Sequence, residues 1–225
     1  LPTITDADYS IKAAIKGGTN TVNGAISVTG GQNKVGILTS DSTTALGAIT
    51  VGGKENIGVL GTGSNLSITS ITVQNSSLTA TEDMSVGVVL NGGSYNGTGN
   101  VLVGNNGIGL YATGMQNGNI NYTGGSLQVG NSALGFYGEG TKGLSVSTTG
   151  ITIGDNNSIG VYAKGMNTSV TGDIAVGTNT SIGIVSEGNG NVTQNGDIII
   201  ADKGNGKDDK GSVGIYKLNG GGIIE

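Results

Sequence analysis

The sequence predicts an all-β protein wound as a parallel β-helix, a β-solenoid of about nine coils with three short strands in each, and three observations carry that prediction. The first is a signature of an apolar residue, Gly and an apolar residue, often followed by Tyr, centred on Gly36, Gly58, Gly87, Gly109, Gly135, Gly160, Gly183 and Gly214. These glycines lie 22, 29, 22, 26, 25, 23 and 31 residues apart, so a core unit recurs while short insertions vary its length, as in a solenoid. The second is strand periodicity: apolar residues alternate in short runs, and no segment shows the 3.6-residue period of a helix. The third is the chemistry between the runs, Asn- and Gly-rich segments that tolerate the positive φ of sharp corners. A meander or sandwich would show strand pairs around two-residue hairpin turns instead.

Each full coil reads as three strands. The signature strand comes first, and in Ile159 to Lys164 strict alternation places Ile159, Val161 and Ala163 inside and Gly160, Tyr162 and Lys164 outside. The first coil lacks the glycine, but Ile11 to Gly17 overlays Ile159 to Gly165 with Lys12 at the glycine position. The second strand is weaker: Leu66/Ile68, Ile120/Tyr122, Leu144/Val146, or a lone Val170 or Val192. The third is the most regular, running from Ile26/Val28 through Ile151/Ile153 to Ile198/Ile200, and turn formers such as Gly154-Asp155-Asn156-Asn157 follow it. Each strand is expected to pair in parallel with its copy one coil away, roughly 4.8 Å along the axis, giving a rod roughly 40 Å long. Residues 1–225 form one repeat array. It stops at Gly222-Ile223-Ile224-Glu225, where a second strand is due, and so reads as a piece of a longer protein.

Composition narrows the function classes. Gly is 46 of 225 residues, far above the roughly 7% of ordinary domains, yet the Ile, Val and Leu at β spacing assign those glycines to corners and surfaces of an ordered structure. The single Pro, at position 2, leaves every later backbone N–H free to join a ladder. There is no Cys, His or Trp, and all ten basic residues are Lys. Without Cys there are neither disulfides nor thiolate metal sites, and stability must come from stacking and burial. A net charge of −5 with no basic cluster argues against nucleic acid and anionic membrane as partners. No apolar run approaches the roughly 18 residues of a membrane span.

Repeats of the form SIGVYAKG, NGIGLYATG and SVGIYKLNG, joined by Asn/Gly/Thr/Ser-rich corners without Cys or Arg, resemble the passenger domains of bacterial autotransporters, in particular the very large adhesins of the fusobacterial kind. The resemblance covers Ile11 to Tyr216. It implies a right-handed three-stranded parallel β-helix displayed outside a Gram-negative outer membrane by a C-terminal β-barrel. Adhesion to host cells or other bacteria, through a surface glycan or protein, is what the family implies. No binding residue carries over, because no binding motif of the family is matched.

Three stretches are candidate sites. Stacked over the coils, the position after the signature reads Leu38, Leu60, Val89, Tyr111, Tyr137, Tyr162, Val185 and Tyr216, an apolar stripe with an aromatic middle. Tyr111, Tyr137, Tyr162 and Tyr216 could stack on sugar rings or accept a protein; equally, a Tyr ladder stabilises a solenoid with no ligand. Asp173 and Asp197 recur at one strand position of successive coils, a spacing that suits a retaining glycosidase or a shared cation, but Asp is also an ordinary corner residue. The longest coil holds an Asp/Lys/Gly loop with Asp202, Asp208 and Asp209, a solvated insertion without the spacing of calcium-binding repeats. The other insertion, Gln74 to Asp83, is rich in Ser and Thr.

These readings converge on a non-enzymatic surface adhesin segment with no cofactor and no metal. A polysaccharide-active β-helix enzyme and a purely structural stalk are the alternatives. An ice-binding solenoid ranks last, because Thr forms no regular array on one face.

Overall fold

Short apolar alternations cannot bury themselves within one coil, so they must do it by stacking. In the computed structural model, which describes residues 10–76, 84–201 and 210–225, every helix-or-strand element is a strand, and all the strands join one parallel sheet that wraps round the axis. It forms three walls. The first is built from Ile11–Lys16, Val35–Ser40, the leading parts of Ile57–Val73 and Val86–Gly97, then Ile108–Met115, Leu134–Gly140, Ile159–Lys164, Ile182–Glu187 and Val213–Leu218. Each pairs with the next, so nine signature strands mark out eight complete turns of the expected β-solenoid. Ile11 pairs with Val35 and Ala13 with Ile37, which sets Lys12 opposite Gly36 as the alignment of the first coil requires.

The third wall keeps the alternation up to its last strand, Ile198–Ile200, where Ile198 is half-buried and Ile200, expected inside, is exposed. Ile26–Val28, Val101–Val103 and Ile174–Val176 each bury both ends and expose the middle residue. The second wall runs through Ile120–Tyr122, Gly143–Ser147, Asn167–Thr171 and Val192–Asn195, and Ile57–Val73 passes through all three walls without a break. Beyond the last signature strand, Ile223 and Glu225 hydrogen-bond to Val192, so the second wall begins again there.

The first wall departs from strict alternation, and this corrects the expected faces. Its register runs Ile159↔Ile182 and then Val161↔Ile184, with the glycine left out of the ladder. Val161 and Ala163 are buried as alternation requires, but Ile159 is half-buried and Gly160 is buried. A Cβ on Gly160 would lie 2.6 Å from Ile153 Cδ1 and 2.7 Å from the Gly183 carbonyl oxygen. Gly160 therefore faces the third-wall core rather than solvent. The kink is bulge-like: two successive residues turn inward at the corner between third and first walls, and only a residue without a side chain fits the first of them. Gly58 repeats the geometry, with Gly87 O and Ile49 Cγ2 each 2.5 Å from its missing Cβ.

The interior is lined by Ile, Val and Leu from all three walls and holds three aromatic rings. Phe136 lies 5.2 Å from Tyr122, edge to face, and 6.3 Å from Tyr95, with all three side chains buried. Burial pushes the Tyr122 phenol up to about 12 and that of Tyr95 further. One interior hydroxyl, Thr39 Oγ1, is buried without a hydrogen-bond partner among the described residues. Lys217, on the ninth signature strand, reaches back to Ser186 Oγ at 3.2 Å and the Gly188 carbonyl at 2.8 Å.

Side-chain ladders hold the corners in register. After the third wall, Asn75 Oδ1 accepts Asn105 N–H, Asn105 Oδ1 accepts Asn131 N–H, and Asn131 Oδ1 accepts Asp155 N–H, at 2.8, 2.8 and 2.9 Å. Asp155 Oδ1 then accepts both the N–H and the hydroxyl of Thr178, at 2.6 and 2.9 Å. Asn106, Ser132, Asn156 and Asn179 take positive φ in these corners, the conformation for which Asn is better suited than most side-chain-bearing residues.

Candidate binding surface

The kink in the first wall decides what the rod shows to solvent. Because Gly160 and Val161 both turn inward, Ile159 and Tyr162 both turn outward, and the same holds along the wall. Two apolar columns therefore run side by side: Val35, Ile57, Val86, Ile108, Leu134, Ile159 and Ile182 in one, and Leu38, Leu60, Tyr111, Tyr137 and Tyr162 in the other, all at least partly exposed. The alternation read from sequence showed only the second column and placed a strip of bare glycine beside it. The structure replaces that strip with aliphatic side chains.

Tyr111, Tyr137 and Tyr162 form the expected ladder, paired in register on successive coils. The Tyr111 and Tyr137 rings stack at 4.7 Å and 11°, and Tyr137 and Tyr162 meet at 5.3 Å and 35°. Both faces of Tyr137 are thus covered by other rings, leaving its edge as the part turned away from them. Tyr111 is 37% exposed, and Tyr216 45%. Tyr216 stands apart from the ladder, because Val185 occupies the coil between it and Tyr162.

The next outward column is charged, a feature that the spacing Tyr137-x-Glu139 and Tyr162-x-Lys164 places beside the rings. Tyr137 donates to Glu139 Oε2 at 3.1 Å, Tyr162 donates to Glu187 Oε2 at 2.7 Å, and Lys164 bridges to Glu139 Oε1 at 3.0 Å. Burial, then the hydrogen bond to Glu187, raises the Tyr162 phenol to about 12. Burial, then the hydrogen bond to Glu139, raises Tyr137, and Lys164 holds the Glu139 carboxyl below the usual range.

Asp173 and Asp197 are brought together as the repeat requires, but the contact is a corner clamp: Asp173 Oδ1 accepts the Asp197 N–H at 2.9 Å. Asn100 Oδ1 accepts Ser126 N–H at 3.0 Å in the same way. Among the described residues no group of three or more His, Cys, Asp or Glu is placed to hold a metal, and no helix is long and apolar enough to cross a membrane. Asp202, Asp208 and Asp209 lie outside the described residues, as do positions 77–83 of the other insertion. Comparisons of the chain with family models, with curated proteins and with solved structures gave no match.

Proposed function

We propose that this chain is a non-enzymatic segment of a cell-surface adhesin, a stiff rod that holds its first wall out for attachment to a host-cell glycan or protein or to another bacterium. The observation that carries the reading is the double apolar column of the first wall, continued from coil to coil and centred on the Tyr111–Tyr137–Tyr162 ladder. Side-by-side apolar columns flanked by charges have the composition of a recognition surface. The sequence resemblance to autotransporter passengers supports display outside a Gram-negative outer membrane, with a C-terminal β-barrel as anchor. Contact would run along ring edges and the aliphatic column beside them, since the faces within the ladder meet each other.

A structural stalk is the second reading, favoured by one observation: the hydroxyls of Tyr137 and Tyr162 are already bonded to Glu139 and Glu187. Replacing Tyr111, Tyr137 and Tyr162 together by Ser separates the two. The adhesin reading expects attachment to intact cells, or to a glycan or protein array, to be lost while the melting temperature falls by only a few degrees. Undiminished attachment with a large drop in melting temperature would mean that the rings serve the rod.

A further inference from the structure

The second wall presents a different chemistry from the first. Where the chain passes from the coil of Ile120 to that of Val192, it holds a shallow depression of about 410 Å³. Its rim is a column of Asn119, Asn167 and Asn191, and its floor a parallel column of Asn121, Ser145, Ser169 and Thr193. Gly143 occupies the rim position between Asn119 and Asn167, and a Cβ there would meet nothing nearer than 3.8 Å, so the rim has an open notch.

The rim asparagines are oriented by the backbone. Asn119 Oδ1 accepts Gly143 N–H at 3.2 Å, Asn167 Oδ1 accepts Asn191 N–H at 3.0 Å, and Asn191 Oδ1 accepts Ile223 N–H at 3.0 Å. Only the carboxamide oxygen can accept an N–H, so this fixes which end of each amide turns away. The three Nδ2 groups are left without a protein partner among the described residues. Those of Asn167 and Asn191 lie one coil apart and that of Asn119 lies two coils before Asn167, across the Gly143 notch, beside a floor of one carboxamide and three hydroxyls that both donate and accept.

No residue of the depression carries a charge. A charged ligand would lose hydration there without gaining a counter-charge, and an apolar one would strand the amide donors. A neutral, many-hydroxylated chain suits it, because it meets donors and acceptors repeated at the coil spacing, which is of the order of one sugar residue. The geometry points to a binding site for a neutral oligosaccharide lying along the axis of the second wall, its units in step with the coils. This site is separate from the tyrosine ladder and does not depend on it.

The test is an NMR titration of the whole chain with neutral hexaoses, cellohexaose and maltohexaose, beside an oligogalacturonate as the anionic comparison. At least one neutral hexaose should move the amide signals of Gly143, Ser145 and Ser169 and leave those of Tyr137 and Tyr162 in place. Gly143→Leu fills the notch and Ser145→Leu blocks the floor; each should weaken that binding by roughly tenfold or more, while the melting temperature holds. The Tyr111/Tyr137/Tyr162→Ser variant should bind the hexaose as the parent does. Tighter binding of the oligogalacturonate, shifts confined to the first wall, full affinity in both Leu variants, or no shift with either neutral hexaose would overturn the proposal.

Discussion

The Gly183 carbonyl oxygen occupies the space into which a side chain on Gly160 would grow, 2.7 Å from the missing Cβ. The same contact recurs between Gly109 and Gly135 at 2.6 Å and between Gly135 and Gly160 at 2.3 Å. Gly160→Ala should cost about 1–3 kcal/mol by overpacking, and Gly160→Val more. Gly211→Ala, whose new methyl would meet nothing within 4 Å, is the control and should leave the melting temperature unchanged. Equal melting temperatures for the variants at Gly160 and Gly211 would contradict the inward assignment of the glycine column.

Thr39 is 0% exposed, and among the described residues its hydroxyl and Gln194 Oε1 are buried side-chain atoms left without a hydrogen-bond partner. Thr39→Val keeps the shape and removes the desolvated hydroxyl, so denaturant unfolding should show a gain of about 1 kcal/mol. A loss of stability would mean that the hydroxyl is bonded in solution.

The corner ladder predicts a difference between two neighbouring substitutions. Asn131→Ala removes the acceptor of the Asp155 N–H and should destabilise the rod by about 1 kcal/mol. Asp155→Asn keeps an oxygen for both Thr178 bonds and should be nearly neutral. Hydrogen exchange would locate the effect: the amide of Asp155 should lose protection in the first variant alone.

Alkaline stability should report the tyrosine ladder. Tyr162 ionises near pH 12 in the folded chain because burial and the Glu187 carboxylate disfavour the phenolate, against about 10 when unfolded. A raised folded value means that the stabilisation is complete below the unfolded value and is lost as the pH climbs through the folded one. Denaturation midpoints should therefore fall between about pH 10 and 12, and less steeply in Tyr137→Phe/Tyr162→Phe. Identical slopes would remove the ladder from the account. Glu139 acts in the opposite direction: Lys164 depresses its carboxyl, so its contribution is present at neutral pH and lost on acidification.

Much of the fold could be read before any coordinates, because stacking leaves a periodic trace. The third-wall pairs, Val161 and Ala163 inside, and the tyrosines in register all follow from counting positions. The signature glycine was harder to place. Strict alternation puts Gly160 outside and Ile159 inside, and a glycine carries no hydropathy with which to object. What moves it inward is a carbonyl from the next coil and a side chain from another wall, contacts that no local pattern contains. Tyr95 is hidden for a related reason: in Ser94-Tyr95-Asn96-Gly97 it has polar neighbours and no apolar partner two positions away. The second-wall depression arises where Gly143 stands in a column of asparagines, which is visible only once four coils are stacked.

The Asn corner ladder is one-sided. In every rung from Asn75 to Asp155 the earlier coil supplies the side-chain acceptor and the later coil brings the backbone donor. The serines of the same corner run the other way: Ser158 Oγ accepts the Ala133 N–H at 3.5 Å, Ser181 Oγ the Ser158 N–H at 3.3 Å and Ser212 Oγ the Ser181 N–H at 3.1 Å, each from the coil before. Each seam is therefore stitched from both sides, and a coil lifted away at either end breaks side-chain bonds of its own as well as those of its neighbour.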